Sequence, residues 1–499
     1  MALSFSVSDR RTGTPLPGEF QVATREDVDQ ACRQAGEVFR SGALWPKRAE
    51  FLTAIADGLE ANAEPIVERY QAETALPEAR ARAELGRTVG QLRMFADLVR
   101  EGSWVRARLD RAQPERQPVA KPDLRAMLRP RGPVVVFGAS NFALAFSTVG
   151  GDTASALAAG CPVIVKGHPA HPGVATLVAK VVEDACAHVG LPEGVFSLLH
   201  DEGFSVGEML VDHPEVAAVG FTGSRRGGLA LTRRAQAREV PIPVFAEMGS
   251  VNPVFLLPQR LAHDPVTLAD ALYASLTMGV GQFCTNPGLV FLAADEGSSA
   301  FLGRLSELME RADEGCMLTQ GISDAYVAGV RARSSLAGVE TRVDPAGRLR
   351  PALHVTDQAT FAKTPELQEE IFGPATLVVR ASDPVAAAES LEGQLTATLH
   401  GEAEELASAG PLVAALERRA GRVLFNQWPT GLEVCPSTVH GGPFPATSDG
   451  GSTSVGTWAT ERWGRFVAWQ NAPQALLPEE LRDGNPKRIW RLVDGELSR

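Results

Sequence analysis

Basic runs, long apolar runs and closely spaced cysteines are all missing from this sequence, and each absence narrows what the chain can do. Lys and Arg are not clustered and the formal net charge is −12, so nucleic acid is not an expected partner; phosphate binding needs concentrated positive charge. No window approaches about 18 uninterrupted apolar residues, so no membrane span is expected. The first residues show no basic start followed by an apolar stretch, so no secretory leader is expected either. Six cysteines, at 32, 161, 186, 284, 316 and 435, are scattered, and none forms a Cys-x-x-Cys pair. That pattern argues against zinc and iron–sulfur sites, and no metal is expected. It fits a reducing cytoplasm in which most cysteines are small buried apolar residues, leaving the question of which one is reactive. Internal repeats and low-complexity segments are also lacking.

What is present is an ordinary globular composition, 44% hydrophobic and 22% charged. The 499 residues allow roughly three units of about 150 residues each. Residues 26–100 read as helical, with Leu52, Ile55, Leu59 and Ile66 at helical spacing. Residues 103–123 are charged and Pro-containing and read as a connection, followed by a strand at 124–128. After Arg131-Gly132-Pro133 the pattern changes to short apolar runs, unbroken at 134–137 and 162–165 and continued at 195–199 and 216–221. Such runs suit parallel strands buried on both faces. Helix-like stretches at 149–159, 173–189 and 205–212 separate them, and this alternation predicts a doubly wound α/β sheet. Ligands of such sheets bind at the carboxyl ends of the strands. A second α/β region is expected at about 248–428, with strands at 254–257, 289–292 and 375–379. Residues 432–460, rich in Gly, Ser, Thr and Pro, read as a long irregular loop.

Six segments are then found in order along the chain. They are Phe137-Gly138-Ala139-Ser140-Asn141-Phe142, Val165-Lys166-Gly167-His168-Pro169, Phe221-Thr222-Gly223-Ser224, Glu247-Met248-Gly249-Ser250, Gly281-Gln282-Phe283-Cys284-Thr285 and Glu370-Ile371-Phe372-Gly373-Pro374. Together they resemble the aldehyde dehydrogenase superfamily over about residues 20–475. A narrower likeness, to the ketoglutarate semialdehyde dehydrogenases and the related bacterial fatty-aldehyde dehydrogenases, lies at 73–80, 151–156 and 440–447.

The resemblance implies a mechanism. Cys284 would be the nucleophile, because a thiolate adds to an aldehyde to give a thiohemiacetal whose oxyanion can expel hydride, leaving a thioester. Glu247 would be the general base that activates water for thioester hydrolysis. Its apolar neighbours Phe245, Ala246 and Met248 suggest a raised pKa. A carboxylate there also argues against the CoA-acylating branch. Asn141, on the loop after the 134–137 strand, would hold the oxyanion together with the Cys284 N–H. Lys166, Gly223, Ser224, Gly228, Glu370 and Phe372 would bind the cofactor. Gly223-Ser224-Arg225-Arg226-Gly227-Gly228 joins a strand to a helix and departs from Gly-x-Gly-x-x-Gly, so it is weak evidence alone. His440, in the irregular loop, could tune Glu247 or the thiol, or could equally be structural.

The same resemblance divides the chain into a cofactor-binding part at 1–117 and 134–247 and a catalytic part at 248–430. A loop and return segment covers 431–477, and a strand extension for oligomerisation covers 118–133 and 478–497. A homodimer or homotetramer is expected, since exposed strand edges are normally paired. NADP is expected over NAD, although NAD use could persist. The carboxylate common three residues after the Lys in NAD-preferring members is Pro169 here, while His168 or Arg225 could add positive charge. The expected substrate is 2-oxoglutarate semialdehyde (2,5-dioxopentanoate), anchored by Arg462 or Arg465 or by hydroxyls such as Ser452 and Thr453. The alternative is a medium- or long-chain fatty aldehyde in a tunnel lined by Phe142, Leu144, Phe146 and Phe283. A remoter alternative is a binding or structural protein that keeps the fold without activity.

Overall fold

The computed structural model describes residues 3–499. Four helices, Arg25–Ser41, Arg48–Ala61, Ala63–Thr74 and Glu78–Glu101, occupy the stretch whose spacing predicted helix. The first begins where Thr24 and Asp27 cap one another reciprocally, which satisfies orphan N–H groups at the helix start. Leu52, Ile55, Leu59 and Ile66 are fully buried in the main core, together with the apolar strand residues that follow.

Those strands form a five-stranded parallel sheet in the order Phe196–Leu199, Val163–Lys166, Val134–Phe137, Ala218–Thr222, Val244–Glu247. The strand order reverses at Val134–Phe137, so a crevice opens at the carboxyl ends on either side of it. Asn141, Lys166, Gly223 and Glu247 all lie at or just beyond these ends.

A second sheet runs Glu340–Val343, Ala352–Asp357, Ala375–Arg380, Leu289–Leu292, Val254–Leu256, Gln394–His400, Ala420–Phe425, with only the Glu340–Val343 edge antiparallel. Four of its strands carry no simple apolar run. In Gln394–His400, for instance, Gln394, Thr396, Thr398 and His400 are as buried as their apolar neighbours. Cys284 sits on the segment leading into Leu289–Leu292.

A third, mixed sheet pairs Leu124–Pro130 with Gly464–Gln470 and Arg108–Asp110, then continues through Arg491–Val493 to Glu496–Ser498. Phe466 and Leu497 stand exposed on its two outermost strands. Residues 426–456 are irregular apart from turns and bends, and they run back across the first sheet: Met248 N–H donates to Ala446 O at 2.8 Å and Ser448 N–H to Ala246 O at 2.9 Å. No helix among the described residues is long and apolar enough to cross a membrane.

Candidate active site

The loop bearing Cys284 is locked from two sides. Before it, Gly279, Val280 and Gly281 all take positive φ, and a Cβ on Gly281 would meet the Gly373 backbone at 2.3 Å. Only glycine permits that approach, so the loop is pressed onto the Glu370–Pro374 segment. Asn286 strengthens the contact by donating to Gly373 O at 3.0 Å. On the other side Asn252, buried and left-handed at φ 48, donates from Nδ2 to Cys284 O at 2.8 Å and Asn286 O at 2.9 Å. Sequence reasoning passed over Asn252. Its signal was an Asn three residues after the Glu247-Met248-Gly249 turn, the residue type that best tolerates positive φ.

Three reactive side chains converge here. His440 Nε2 lies 2.9 Å from Glu247 Oε1 and 3.4 Å from Cys284 Sγ. Ser454 Oγ donates to Glu247 Oε2 at 2.9 Å. His440 is buried, its N–H donates to Thr453 Oγ1 at 2.8 Å, and its ring rests 5.9 Å from that of Phe146. The expectation of a raised Glu247 pKa is reversed. Burial does push it up, but His440 and the hydrogen bonds from His440, Ser454 and Cys284 outweigh that and hold the carboxyl below its ordinary value. Burial and the Glu247 charge instead push the Cys284 thiol well above its ordinary value. The resting pair is thus a thiol beside a carboxylate, and the carboxylate is placed to take the thiol proton. Donor atoms of Glu247, Cys284 and His440 all lie within 4.8 Å of one another, the one such group among the described residues that could also ligate a metal ion.

Asn141 is buried, and its Nδ2 donates to Gln282 O at 3.0 Å, which puts the amide beside the peptide preceding Phe283-Cys284. Its loop is held by Glu84, whose Oε1 accepts from the N–H groups of Leu144 at 2.8 Å and Ala145 at 3.0 Å. Phe142, Phe146 and Phe283 form an apolar cluster with Val455, with Phe142 and Phe283 edge-to-face at 5.4 Å. Leu144 packs instead into the main core.

The residues expected to bind a dinucleotide fit that role. Ser224 caps the Arg225–Gln236 helix, accepting from Gly227 N–H at 3.2 Å. A Cβ on Gly228 would meet Met248 at 2.8 Å, so the helix start lies close to the sheet with its N–H groups facing the crevice. Lys166, buried at the end of its strand, donates to Asp201 O at 3.2 Å. Among the described residues Glu370 has no cationic partner, and burial pushes its carboxyl up to about 8. It borders a narrow cavity of about 10 Å³ lined also by Ser250, Gly281, Phe283, Phe372 and Gly373. A carboxyl group without an ion pair is suited by its chemistry to accept from hydroxyl groups such as those of a ribose.

Other expected residues lie elsewhere. Arg462 is not free to hold a substrate, because it pairs with Asp152 in the interior and lies over the Trp463 ring. Trp463 in turn donates to Ser155 at 2.8 Å, so the 151–156 motif packs the core. Arg465 points outward from the third sheet. Arg225 pairs with Glu392 at 3.0 Å, and burial with the nearby His171 and Lys166 keeps His168 well below its ordinary pKa. Neither of the two arrives as a free cation. Among the other cysteines, burial pushes Cys32 and Cys186 up to about 12 and Cys161 to about 11, whereas Cys316 is exposed rather than buried.

Comparison with known proteins agrees with this geometry. The family described as "Aldehyde dehydrogenase family" matches residues 4–323. The chain is 48% identical to alpha-ketoglutaric semialdehyde dehydrogenase 2 of Azospirillum brasilense, covering 99% of this chain and 97% of the relative. It is 44% identical to the alpha-ketoglutaric semialdehyde dehydrogenase of Acinetobacter baylyi, covering 96% and 93%. Among solved structures, it superposes with TM-score 0.76 on an NADP-dependent glyceraldehyde-3-phosphate dehydrogenase from Bacillus halodurans, at 21% identity and covering 94% and 96%. The methylmalonate-semialdehyde dehydrogenase of Oceanimonas doudoroffii gives 0.77 at 18% identity, covering 94% and 95%. At these identities the two structures speak for the fold alone.

Proposed function

The chain belongs to the aldehyde dehydrogenase family, and on that premise we propose that it oxidises 2-oxoglutarate semialdehyde to 2-oxoglutarate through a thioester on Cys284. The convergence of Cys284, Glu247 and His440 at the crevice carries the chemistry. The two ketoglutaric semialdehyde dehydrogenases that match this chain over nearly their whole length support the substrate.

Glu247 accepts the Cys284 proton, directly or by way of His440, and the sulfur attacks the aldehyde carbon. The oxyanion that forms is met by the Asn141 amide and the Cys284 N–H, donors fixed in place before the reaction. A bound nicotinamide dinucleotide, held by Lys166, Gly223, Ser224, Gly228, Glu370 and Phe372, supplies the hydride acceptor. Once that first proton has passed to solvent, Glu247 takes a proton from the water that cleaves the thioester and returns it to the departing sulfur, which leaves as the thiol that began the cycle. A cavity of about 10 Å³ bordered by Glu247, His440 and Ser454 is about the room that a single water needs. His440 positions the carboxylate and lowers its proton affinity, so it stays ionised in a buried site. An ion ligated by these three groups would occupy the sulfur that this chemistry needs free, so we assign them to covalent catalysis.

NADP is the proposed cofactor, because no carboxylate follows Lys166 by three residues to repel a 2′-phosphate. The comparison of kcat/KM for NADP and NAD tests it, and a tenfold preference for NAD would reverse it. The three sheets support a division into cofactor-binding, catalytic and extension parts, with Arg108–Asp110 and Gly464–Gln470 joining the extension beyond the 118–133 and 478–497 expected for it. The exposed Phe466 and Leu497 on the third sheet support a homodimer or homotetramer, checked by light scattering. Six unpaired cysteines support a cytoplasmic setting.

A second reading, a medium- or long-chain fatty aldehyde, is favoured by the Phe142, Phe146 and Phe283 cluster. NAD(P)H formation over a panel of aldehydes decides between them. Short aldehydes with a terminal carboxylate outrun uncharged ones of equal length under the first reading. A kcat/KM that climbs with each added methylene establishes the second.

A further inference from the structure

Arg80, Glu84 and Arg87 line one face of the Glu78–Glu101 helix, at the spacing that stacks side chains turn over turn. Arg80 lies over the rings of Phe142 at 4.3 Å and Phe283 at 4.5 Å. Its charge is matched by Glu84, 3.4 Å away. Glu84 is then fully committed, since it also receives the Tyr70 hydroxyl at 2.6 Å and the two loop amides. Arg87, one turn on, lies over the ring of Phe146 at 4.9 Å and near that of Phe142 at 5.6 Å. No carboxylate lies within salt-bridge distance of it among the described residues, and its Nε and Nη2 are buried without a hydrogen-bond acceptor. A desolvated guanidinium without a counter-charge is costly to keep, so such a group is most often held for an anion that arrives.

The catalytic half of the chain brings a second guanidinium up to the same aromatic cluster. Arg422, on the Ala420–Phe425 strand, donates from Nη2 to the carbonyls of Pro429 at 3.1 Å and Gly431 at 3.2 Å. Those bonds fix the segment leading to Leu432 and Val434, which pack on the Phe142, Phe146 and Phe283 cluster. Arg422 Nε has no acceptor among the described residues. Burial lowers the proton affinity of each arginine, Arg87 lowers that of Arg422 further, and a thiolate formed at Cys284 would raise both in return. Arg87 thus stands over Phe146, whose ring meets that of His440 beside the sulfur, and Arg422 holds the segment that closes the same cluster.

We propose that Arg87, seconded by Arg422, is the specificity-determining anchor for the far carboxylate of an anionic aldehyde whose carbonyl reaches Cys284. This inference rests on the semialdehyde reading above. The aromatic rings would cover the short carbon chain, while Arg87 meets the carboxylate with its free Nε and Nη2 edge, the fork geometry that suits a carboxylate. The assignment replaces Arg462 and Arg465, which the structure places in the core and on the outer sheet.

The test compares Arg87→Gln and Arg87→Lys with the unaltered enzyme, each with its cofactor. Substrates are 2-oxoglutarate semialdehyde, succinic semialdehyde and the uncharged aldehydes of equal length. The ratio of kcat/KM for charged over uncharged substrate is expected to fall by about 10- to 100-fold in Arg87→Gln, mainly through KM, with partial recovery in Arg87→Lys. Product inhibition by 2-oxoglutarate should weaken in step. Equal loss on both substrate classes would make Arg87 a structural residue and overturn the proposal. So would an unchanged ratio in a variant that melts like the parent. If the unaltered enzyme itself shows no preference for charged aldehydes, the semialdehyde reading fails instead, whatever Arg87 does. Arg422→Gln tests the second arm and is expected to lower the same ratio by a smaller factor.

Discussion

His440 Nε2 and Glu247 Oε1 lie 2.9 Å apart in the interior, where neither side chain has more than slight contact with solvent. A carboxyl placed there alone would protonate. With His440 beside it, Glu247 stays below its ordinary pKa. The carboxyl is depressed, so its ionised form is retained as pH falls until the lowered pKa is crossed. Replacing His440 by Gln removes the largest favourable contribution, so the pKa rises and the ionised form is lost at higher pH. The acid limb of the kcat profile of His440→Gln is therefore expected to move to higher pH. An unmoved limb in an active His440→Gln enzyme would leave the histidine a packing role only.

The same carboxylate acts oppositely on the sulfur. Burial and the Glu247 charge both push the Cys284 thiol up. Glu247→Gln keeps the shape and removes the charge, so thiolate should form at lower pH. The pH midpoint for alkylation of Cys284 by iodoacetamide is expected to drop by about 1 or more, the size of effect a close like charge produces. Aldehyde turnover should fall in the same variant, because thioester hydrolysis loses its base. An alkylation midpoint that stays put would place the carboxylate outside the field of the sulfur.

Asn141→Ala removes one oxyanion donor, and kcat should drop by about 10²–10³. Iodoacetamide reacts with Cys284 without building an oxyanion, so its rate is expected to change little. Parallel losses in both reactions would mean that the substitution disturbed the loop through its bond to Gln282.

The parallel sheet and its crossover helices were legible from local patterning, and Cys284, Glu247 and Asn141 were named through the motifs they stand in, whose resemblance pointed to one site. Val134–Phe137 is an unbroken apolar run, and Cys284 stands in a Gly-bounded motif. What was illegible depends on pairs far apart in the chain. Arg462 reads as a cation free to anchor a substrate until Asp152, 310 residues away, is found against it. The Glu247 pKa read wrongly because its apolar neighbours in sequence are visible, while His440 and Ser454 reach it from a loop some two hundred residues on. Gln394–His400 hid as a strand because its threonines look solvated, yet they are buried in the middle of a sheet.

Glu370 offers a pH test that needs no substrate. Its carboxyl titrates at about 8 in the folded chain, against an ordinary value of 4.5. Because the folded pKa is raised, the native state binds the proton more tightly than the unfolded state between those two values. Stability is therefore lost as pH climbs through that window and the group is forced to ionise in place. Glu370→Gln removes the ionisation, so its melting temperature should exceed that of the parent more at pH 9 than at pH 5. The KM for cofactor should rise in the same variant, since a ribose partner is weakened. A melting difference independent of pH would show that the carboxyl does not titrate there.

Arg462 and Asp152 make the clearest prediction about stability against specificity. Both are buried, they pair directly, and the guanidinium lies over the Phe245 and Trp463 rings. Arg462→Met would leave Asp152 ionised and unpaired, or protonated against its preference, in an interior that already raises its pKa by burial. Breaking a buried pair from one side costs about 3–5 kcal/mol, while replacing both partners by apolar groups is far milder. Arg462→Met should therefore unfold at clearly lower denaturant concentration than the parent, and Asp152→Leu/Arg462→Met should recover much of the loss. What remains folded is expected to keep the parent's ratio of charged to uncharged aldehyde turnover, since the charge that would select the substrate lies at Arg87. If Arg462→Met instead kept its stability and lost that ratio, Arg462 would be the anchor after all.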